Sequence, residues 1–304
     1  MTDKITKLRP RHRRIRAISM APALVTLGNL ISGFAAVHFA ARPEYGINNP
    51  TLAKLMPTNL AIACYLVFLA MVCDALDGRL ARFARTTSDF GGQLDSLADV
   101  VSFGLAPAFI SLRLIMTVFG FGTANAGTEA FGPAAGTLFG RFCWIAAGAF
   151  LACAALRLAR FNAENVPDES AHMSFKGLPA PGAAGALISF VLLNEEVFRP
   201  LGTAAGPTAH SIFLAKAMPF LTLTLGLLMV SRLPYLHLVN RFLRGKKPFW
   251  VLVVMILVIL ALLMWPQLVL AIGLCGYAAS GPVTWLVTLR RRRVETTNDT
   301  NKHE

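Results

Sequence analysis

The residues in this chain best suited to chemistry are four aspartates in two pairs. The first stretch reads Cys73-Asp74-Ala75-Leu76-Asp77-Gly78-Arg79-Leu80-Ala81-Arg82, and the second reads Gly91-Gly92-Gln93-Leu94-Asp95-Ser96-Leu97-Ala98-Asp99. Asp74 and Asp77 are three residues apart and Asp95 and Asp99 four, so each pair shares one helix face. Two antiparallel helices joined by the short loop 83–93 can aim all four carboxylates into one gap. Four such charges repel one another, and between apolar helices they require compensation. One or two divalent cations supply it most simply, and carboxylate oxygens suit hard ions such as Mg²⁺, Mn²⁺ or Ca²⁺. Mg²⁺ keeps part of its shell for substrate phosphates, which points to a phosphate-bearing ligand. Gly78, Ala81, Gly91 and Gly92 leave room for a bulky ligand near the backbone. Arg82, eight residues after Asp74 and on roughly the same face, can bind a phosphate. A purely interfacial role, with each aspartate paired to Arg79, Arg82 or Arg85, accounts for any one carboxylate. It gives no reason for four at helical spacing with small residues between them.

The elements that must position these carboxylates are membrane helices. The 304 residues are 55% hydrophobic and only 15% charged, with a mean hydropathy of +0.57. A soluble domain carries roughly 25% charged residues. Runs of about 20 apolar residues, enough to cross a hydrocarbon core, recur along the chain. They predict an all-α integral membrane protein of about eight transmembrane helices, at roughly 20–41, 59–78, 94–116, 141–158, 178–193, 212–230, 249–265 and 267–289. The last two form a hairpin broken at Trp265-Pro266. The first run is too long for the apolar region of a signal peptide. Cys64, Cys73, Cys143, Cys153 and Cys275 all fall in apolar stretches without a C-x-x-C pair, which argues against a disulfide framework or a zinc site. His38, His172, His210 and His237 share no metal spacing and read as loop or interfacial residues.

The net charge of +13 is concentrated between the apolar runs. No basic soluble domain accompanies it, so anionic lipid headgroups fit it better than nucleic acid. With the N-terminus inside, 23 of the 29 Lys and Arg residues fall on the cytoplasmic side; the other six are Arg42, Lys54, Arg113, Arg141, Arg199 and Lys216. That asymmetry predicts an N-in/C-in topology with the aspartates at the cytoplasmic face. It divides the chain into a basic interfacial segment (1–19), a membrane domain (20–230), a transmembrane hairpin (249–289) and a basic-polar tail (290–304), disordered from Val294. No repeat of 20–50 residues suggests an inverted-repeat transporter.

At the aspartates the sequence resembles the CDP-alcohol phosphotransferase family. The family pattern D-x2-D-G-x2-A-R-x8-G-x3-D-x3-D runs here without departure through Asp74, Asp77, Gly78, Ala81, Arg82, Gly91, Asp95 and Asp99. The resemblance implies six core helices, usually in a homodimer, with the C-terminal hairpin outside that core. It implies two divalent metals, Mg²⁺ or Mn²⁺, held by Asp74, Asp77, Asp95 and Asp99, with Asp99 also the general base. It implies a CDP-linked donor meeting Asp74, Gly78, Ala81, Arg82 and Gly91, with Asn29 beside them.

Within the family, three flanking stretches resemble the phosphatidylserine-forming branch, whose donor is CDP-diacylglycerol and whose acceptor is L-serine. They are Asp95 to Ala108, Arg157-Leu158-Ala159-Arg160-Phe161-Asn162 and Lys176-Gly177-Leu178-Pro179-Ala180-Pro181; the opening Thr26-Leu27-Gly28-Asn29 is similar too. The resemblance covers roughly residues 20–230. Serine needs a partner for its carboxylate. The segment 157–177 offers Arg157, Arg160, Asn162 and Lys176, of which Arg160 and Lys176 are the expected contacts, with Ser102 a further candidate. Ordinary topology charges are the competing reading for the cations, and helix–helix bonding for Ser102. Choline, glycerol 3-phosphate and inositol phosphate remain alternative acceptors. A cation-coupled transporter is the alternative of a different class, though its site would lie nearer the midplane.

Overall fold

In lipid a backbone amide has no water to pair with, so apolar runs of this length close their hydrogen bonds internally as helices. The computed structural model describes residues 20–42, 57–83, 89–120, 136–164, 177–199, 207–233, 235 and 249–300. All regular structure among them is helical. Helix α1 spans Met20–Ala41, α2 Asn59–Phe83, α3 Asp89–Asp99 and α4 Ala106–Phe119. Next come α5 at Leu138–Glu164, α6 at Ala180–Leu193, α7 at Ala209–Val230, α8 at Phe249–Met264 and α9 at Pro266–Thr300. A π-helical segment, Val100–Leu105, joins α3 to α4 in one continuous rod, and a second, Asn194–Phe198, extends α6. Among the described residues seven helical rods are long and apolar enough to cross a membrane; α8 adds a shorter apolar helix over Val253–Met264.

Local sequence sets the helix ends. Thr208 caps α7 by accepting from the Ser211 amide at 3.2 Å. Proline stands in the first turn of α6, where its missing N–H costs nothing. Helices α8 and α9 break at Trp265-Pro266 as the sequence predicts. Gly177 adopts φ 94°, open mainly to glycine, and its amide donates to the Leu233 carbonyl at 2.9 Å. The Leu178 amide donates to the Leu228 carbonyl at 3.1 Å, so the chain entering α6 is pinned to the end of α7.

Packing relies on small residues. Helix α1 lies along α2, α5 against α7, and α6 against α9. Ala36, Ala61, Ala63, Ala183, Ala184 and Ala186 are fully buried at these contacts, letting backbones approach closely. Larger side chains such as Phe103, Ile110 and Phe150 fill the centre. Val254, Ile256, Leu257 and Ile259 of α8 face outward, as expected where lipid is the solvent. At the end of the bundle away from the aspartates, the Thr58 hydroxyl donates to the buried Glu195 carboxylate at 2.8 Å, and Arg199 pairs with the same group.

The structure departs from the sequence reading at several helix ends, and α2 runs on to Phe83 rather than stopping near residue 78. The third rod begins at Asp89 rather than near residue 94. Helix α5 runs on to Glu164, so Arg157, Arg160 and Asn162 stand on its last turns and not in a loop. Helix α9 continues to Thr300, through the tail expected to be disordered from Val294. No glycine or proline interrupts residues 283–300, and four arginines there favour helix. All five cysteines are free.

Candidate active site

Helices α2 and α3 deliver the aspartates. Asp74, Asp95 and Asp99 each offer one carboxylate oxygen, and these oxygens lie within 4.8 Å of one another. Asp77 stands beside this triad, only 5% exposed, and takes a hydrogen bond from the Thr26 side chain of α1. All four carboxylates interact electrostatically: Asp74 with Asp77 and Asp95, and Asp99 with the other three. Helix α1 closes a third side. Asn29, fully buried, donates through Nδ2 to Asp99 Oδ1 at 3.1 Å, and its carbonyl accepts from Ser102 Oγ at 3.0 Å.

The π-helical segment begins directly after Asp99, and the Ala106 amide bonds back to the Val101 carbonyl, five residues earlier. One residue is thereby inserted into the turn. Asp99 meets the triad while Ser102, three residues on, meets the backbone of α1. Single π turns of this kind are frequent at functional sites. Helix α5 approaches from the remaining side. Asn162 Nδ2 donates to Ser96 Oγ at 2.8 Å, and Ser96 Oγ in turn donates to the Gly92 carbonyl at 2.9 Å. Arg157, one helical face earlier, interacts electrostatically with Asp99.

A divalent cation fits these residues. Three acidic oxygens converge, and Asp77 Oδ2 and Asp95 Oδ1 are buried with no hydrogen-bond donor. Such an acceptor-only cage suits a hard cation. Beside it the surface is open: a Cβ built on Gly78 or Gly92 meets no atom within 4 Å. Space next to the carboxylates therefore exists for a ligand that approaches the backbone.

The family profile described as CDP-alcohol phosphatidyltransferase matches residues 19–286. The chain belongs to this family. It is 30% identical over 275 residues to the CDP-diacylglycerol–serine O-phosphatidyltransferase of Helicobacter pylori, covering 90% of this chain and 93% of that relative. The enzyme of the same name from Bacillus subtilis is 28% identical over 182 residues, covering 60% of this chain and 81% of its own length. That of Methanocaldococcus jannaschii is 32% identical over 171 residues, covering 56% of this chain and 61% of its own.

In this CDP-alcohol phosphatidyltransferase the structure brings Asp74, Asp95, Asp99 and Asn29 together, with Asp77 at the edge and Ser102 behind Asn29. Gly78 and Gly91 lie on the adjoining turns of α2 and α3. The side chains of Ala81 and Arg82, and the whole of Lys176, lie outside the described residues, as do His172 and His237. Arg160 is half-buried near the end of α5. His38 packs edge-on against Phe39, His210 packs at a tilt against Phe198, and neither joins the acidic group. Sequence reasoning passed over Thr26, the partner of Asp77, although it opens the Thr26-to-Asn29 stretch. It placed Arg160 and Lys176 ahead of Arg157, although Arg157 interacts electrostatically with Asp99.

Proposed function

We propose that this protein transfers the phosphatidyl group of CDP-diacylglycerol to the hydroxyl of L-serine, giving phosphatidylserine and CMP. The observation that carries this reading is the convergence of Asp74, Asp95 and Asp99 in a chain similar, over nine-tenths of its length, to an enzyme named for that reaction. The serine Oγ attacks the lipid-linked phosphorus, a new O–P bond forms, and the bond to the CMP oxygen breaks in line with it. Asp99 takes the hydroxyl proton, and Asn29 fixes the orientation of its carboxylate. Asp74, Asp77, Asp95 and Asp99 would hold two divalent ions, Mg²⁺ or Mn²⁺, which when bound would neutralise charge on the pyrophosphate. Gly78, Ala81, Arg82 and Gly91 form the surface that receives the donor, and Ser102 supports Asn29 from behind. Phosphoryl transfer asks mostly for positioning and charge stabilisation, which this arrangement offers.

The reading extends to cellular placement. The positive-inside asymmetry supports a cytoplasmic membrane location with the site facing the cytoplasm, and the basic segment 1–19 suits anionic headgroups. The organisation into a domain over 20–230, a hairpin over 249–289 and a tail over 290–304, and assembly as a homodimer, belong to the same proposal.

The test is CMP release from CDP-diacylglycerol by purified protein with Mn²⁺ or Mg²⁺, offering serine, choline, glycerol 3-phosphate or inositol phosphate in turn. Serine-dependent release that Asp99→Asn abolishes is the expected result. Release with a different acceptor alone overturns the serine assignment. No release with any acceptor, from folded protein, overturns the transferase reading and favours transport, which flux in sealed vesicles would reveal.

A further inference from the structure

The C-terminal hairpin lies outside the part of the chain that carries the aspartate motif, yet α9 packs along α6 and its Tyr277 interacts electrostatically with Arg157 of α5. Tyr277 packs its ring over α6, where a Cβ built on Gly182 would meet Tyr277 Cε1 at 3.0 Å. The ring is backed by Tyr235, with centroids 5.8 Å apart, and the Tyr235 hydroxyl donates to the Ala278 carbonyl at 3.0 Å. Tyr277 is therefore fixed by contacts on two sides. Arg157 of α5 interacts electrostatically with both Tyr277 and Asp99. Among the described residues no hydrogen bond or ion pair joins Arg157 to either of them, and its Nε is buried without a partner.

A buried guanidinium N–H left unpaired is costly, and an arginine fork matches a carboxylate better than any other anion of small size except phosphate. We propose that Arg157 and Tyr277 form the acceptor subsite, with the Arg157 N–H groups and the Tyr277 hydroxyl donating to the carboxylate of the amino-acid acceptor. The hairpin is then part of the enzyme's specificity and not only an anchor. This inference rests on the serine reading above. Because Arg157 interacts with both Tyr277 and Asp99, an acceptor whose carboxylate it holds has its hydroxyl within reach of the base. The donor surface at Gly78 and Gly92 belongs to α2 and α3, so a carboxylate is favoured at Arg157 over a donor phosphate.

The test uses full-length protein in detergent and compares wild type, Arg157→Gln and Tyr277→Phe. Serine and serine methyl ester, which lacks the anionic carboxylate, are the acceptors. Loss of a hydrogen bond to a charged group predicts a rise in the serine KM on the order of 10- to 100-fold. The KM for CDP-diacylglycerol stays within about twofold, and the preference of wild type for serine over its ester collapses in both variants. Tyr277→Phe removes a single oxygen and carries the test if Arg157→Gln does not fold. An unchanged serine KM and ester preference in folded Tyr277→Phe overturns the inference while leaving serine-dependent CMP release by wild type, and so the function, in place. A rise confined to the donor KM overturns it as well, assigning the pair to the phosphates. Wild-type protein that ignores serine but uses another acceptor overturns the function itself.

Discussion

Asn29 Nδ2 donates to Asp99 Oδ1 across 3.1 Å, although the two residues stand 70 positions apart in the chain. The bond ties α1, which carries none of the aspartates, to the carboxylate proposed as the base. It occupies one oxygen of Asp99 and leaves the other for a proton. Asn29→Ala is expected to lower kcat for CMP release by roughly 10- to 100-fold, the worth of a hydrogen bond to a charged group. The donor KM changes far less, since Asn29 acts on the base. Asn29→Asp lowers kcat further, because it puts a fifth carboxylate against the cluster. Steady-state kinetics on both variants checks this; an unchanged kcat in Asn29→Ala removes the orienting role.

The acidic cage predicts metal-linked stability. A cation that binds only the folded state stabilises it by about 2.7 kcal/mol at a hundred times its Kd. Mn²⁺ is therefore expected to raise the Tm of the detergent-solubilised protein, and a chelator to abolish both that shift and CMP release. Asp95→Asn removes charge from an oxygen that has no other partner, and Asp74→Asn thins the triad. Each variant is expected to fold, to show no Mn²⁺-dependent Tm shift at the wild-type midpoint, and to need more metal for any residual turnover. A full Tm response in either variant places the cation elsewhere.

Tyr235 gives a pH prediction outside the membrane spans. Its burial, with Tyr277 beside it, pushes the phenol up to about 12 from an ordinary value of 10. The unfolded chain then releases this proton before the folded one does. The stabilising contribution of Tyr235 is complete below pH 10 and is lost as pH rises from about 10 through about 12. Thermal unfolding of wild type and Tyr235→Phe across pH 9–12 tests this. The variant is expected to show a shallower alkaline decline, and to be about 1 kcal/mol less stable at pH 8 because the bond to Ala278 is gone. Parallel curves for the two proteins rule out the shift.

The two aspartate pairs were legible because helix periodicity converts spacing directly into a shared face, and because charge in an apolar run is too costly to lack a purpose. Asn29 was legible for the same reason, a buried amide amid Leu and Ile. The π turn after Asp99 was not, since an extra residue in one helical turn is decided by packing against α1 and α5 and leaves no mark in composition. Arg160 was preferred to Arg157 without a physical ground for the choice, because the positive-inside bias fills the same positions that an anion-binding arginine would use. Tyr277 carried no signal at all; an aromatic side chain in an apolar helix is ordinary, and only the fold reveals that α9 folds back against α6 and faces Arg157.

Two glycines of the bundle separate packing from substrate binding. A Cβ on Gly33 of α1 would lie 2.8 Å from Ser102 Cα, a backbone atom that cannot yield without moving the π turn. Gly33→Ala is expected to cost about 1–3 kcal/mol of stability, as overpacking does, and to lower activity in the same variant by displacing the Ser102–Asn29 contact. Gly78 is the converse. It lies inside α2, where alanine is preferred to glycine by about 1 kcal/mol, and a Cβ there meets no atom within 4 Å. Gly78→Ala is therefore expected to keep or raise the Tm while raising the KM for CDP-diacylglycerol several-fold, because the added methyl occupies space proposed for the donor. Lost stability in Gly78→Ala contradicts the open surface. Preserved stability with an unchanged donor KM moves the donor away from Gly78, and the serine KM measured alongside shows whether the acceptor lies there instead.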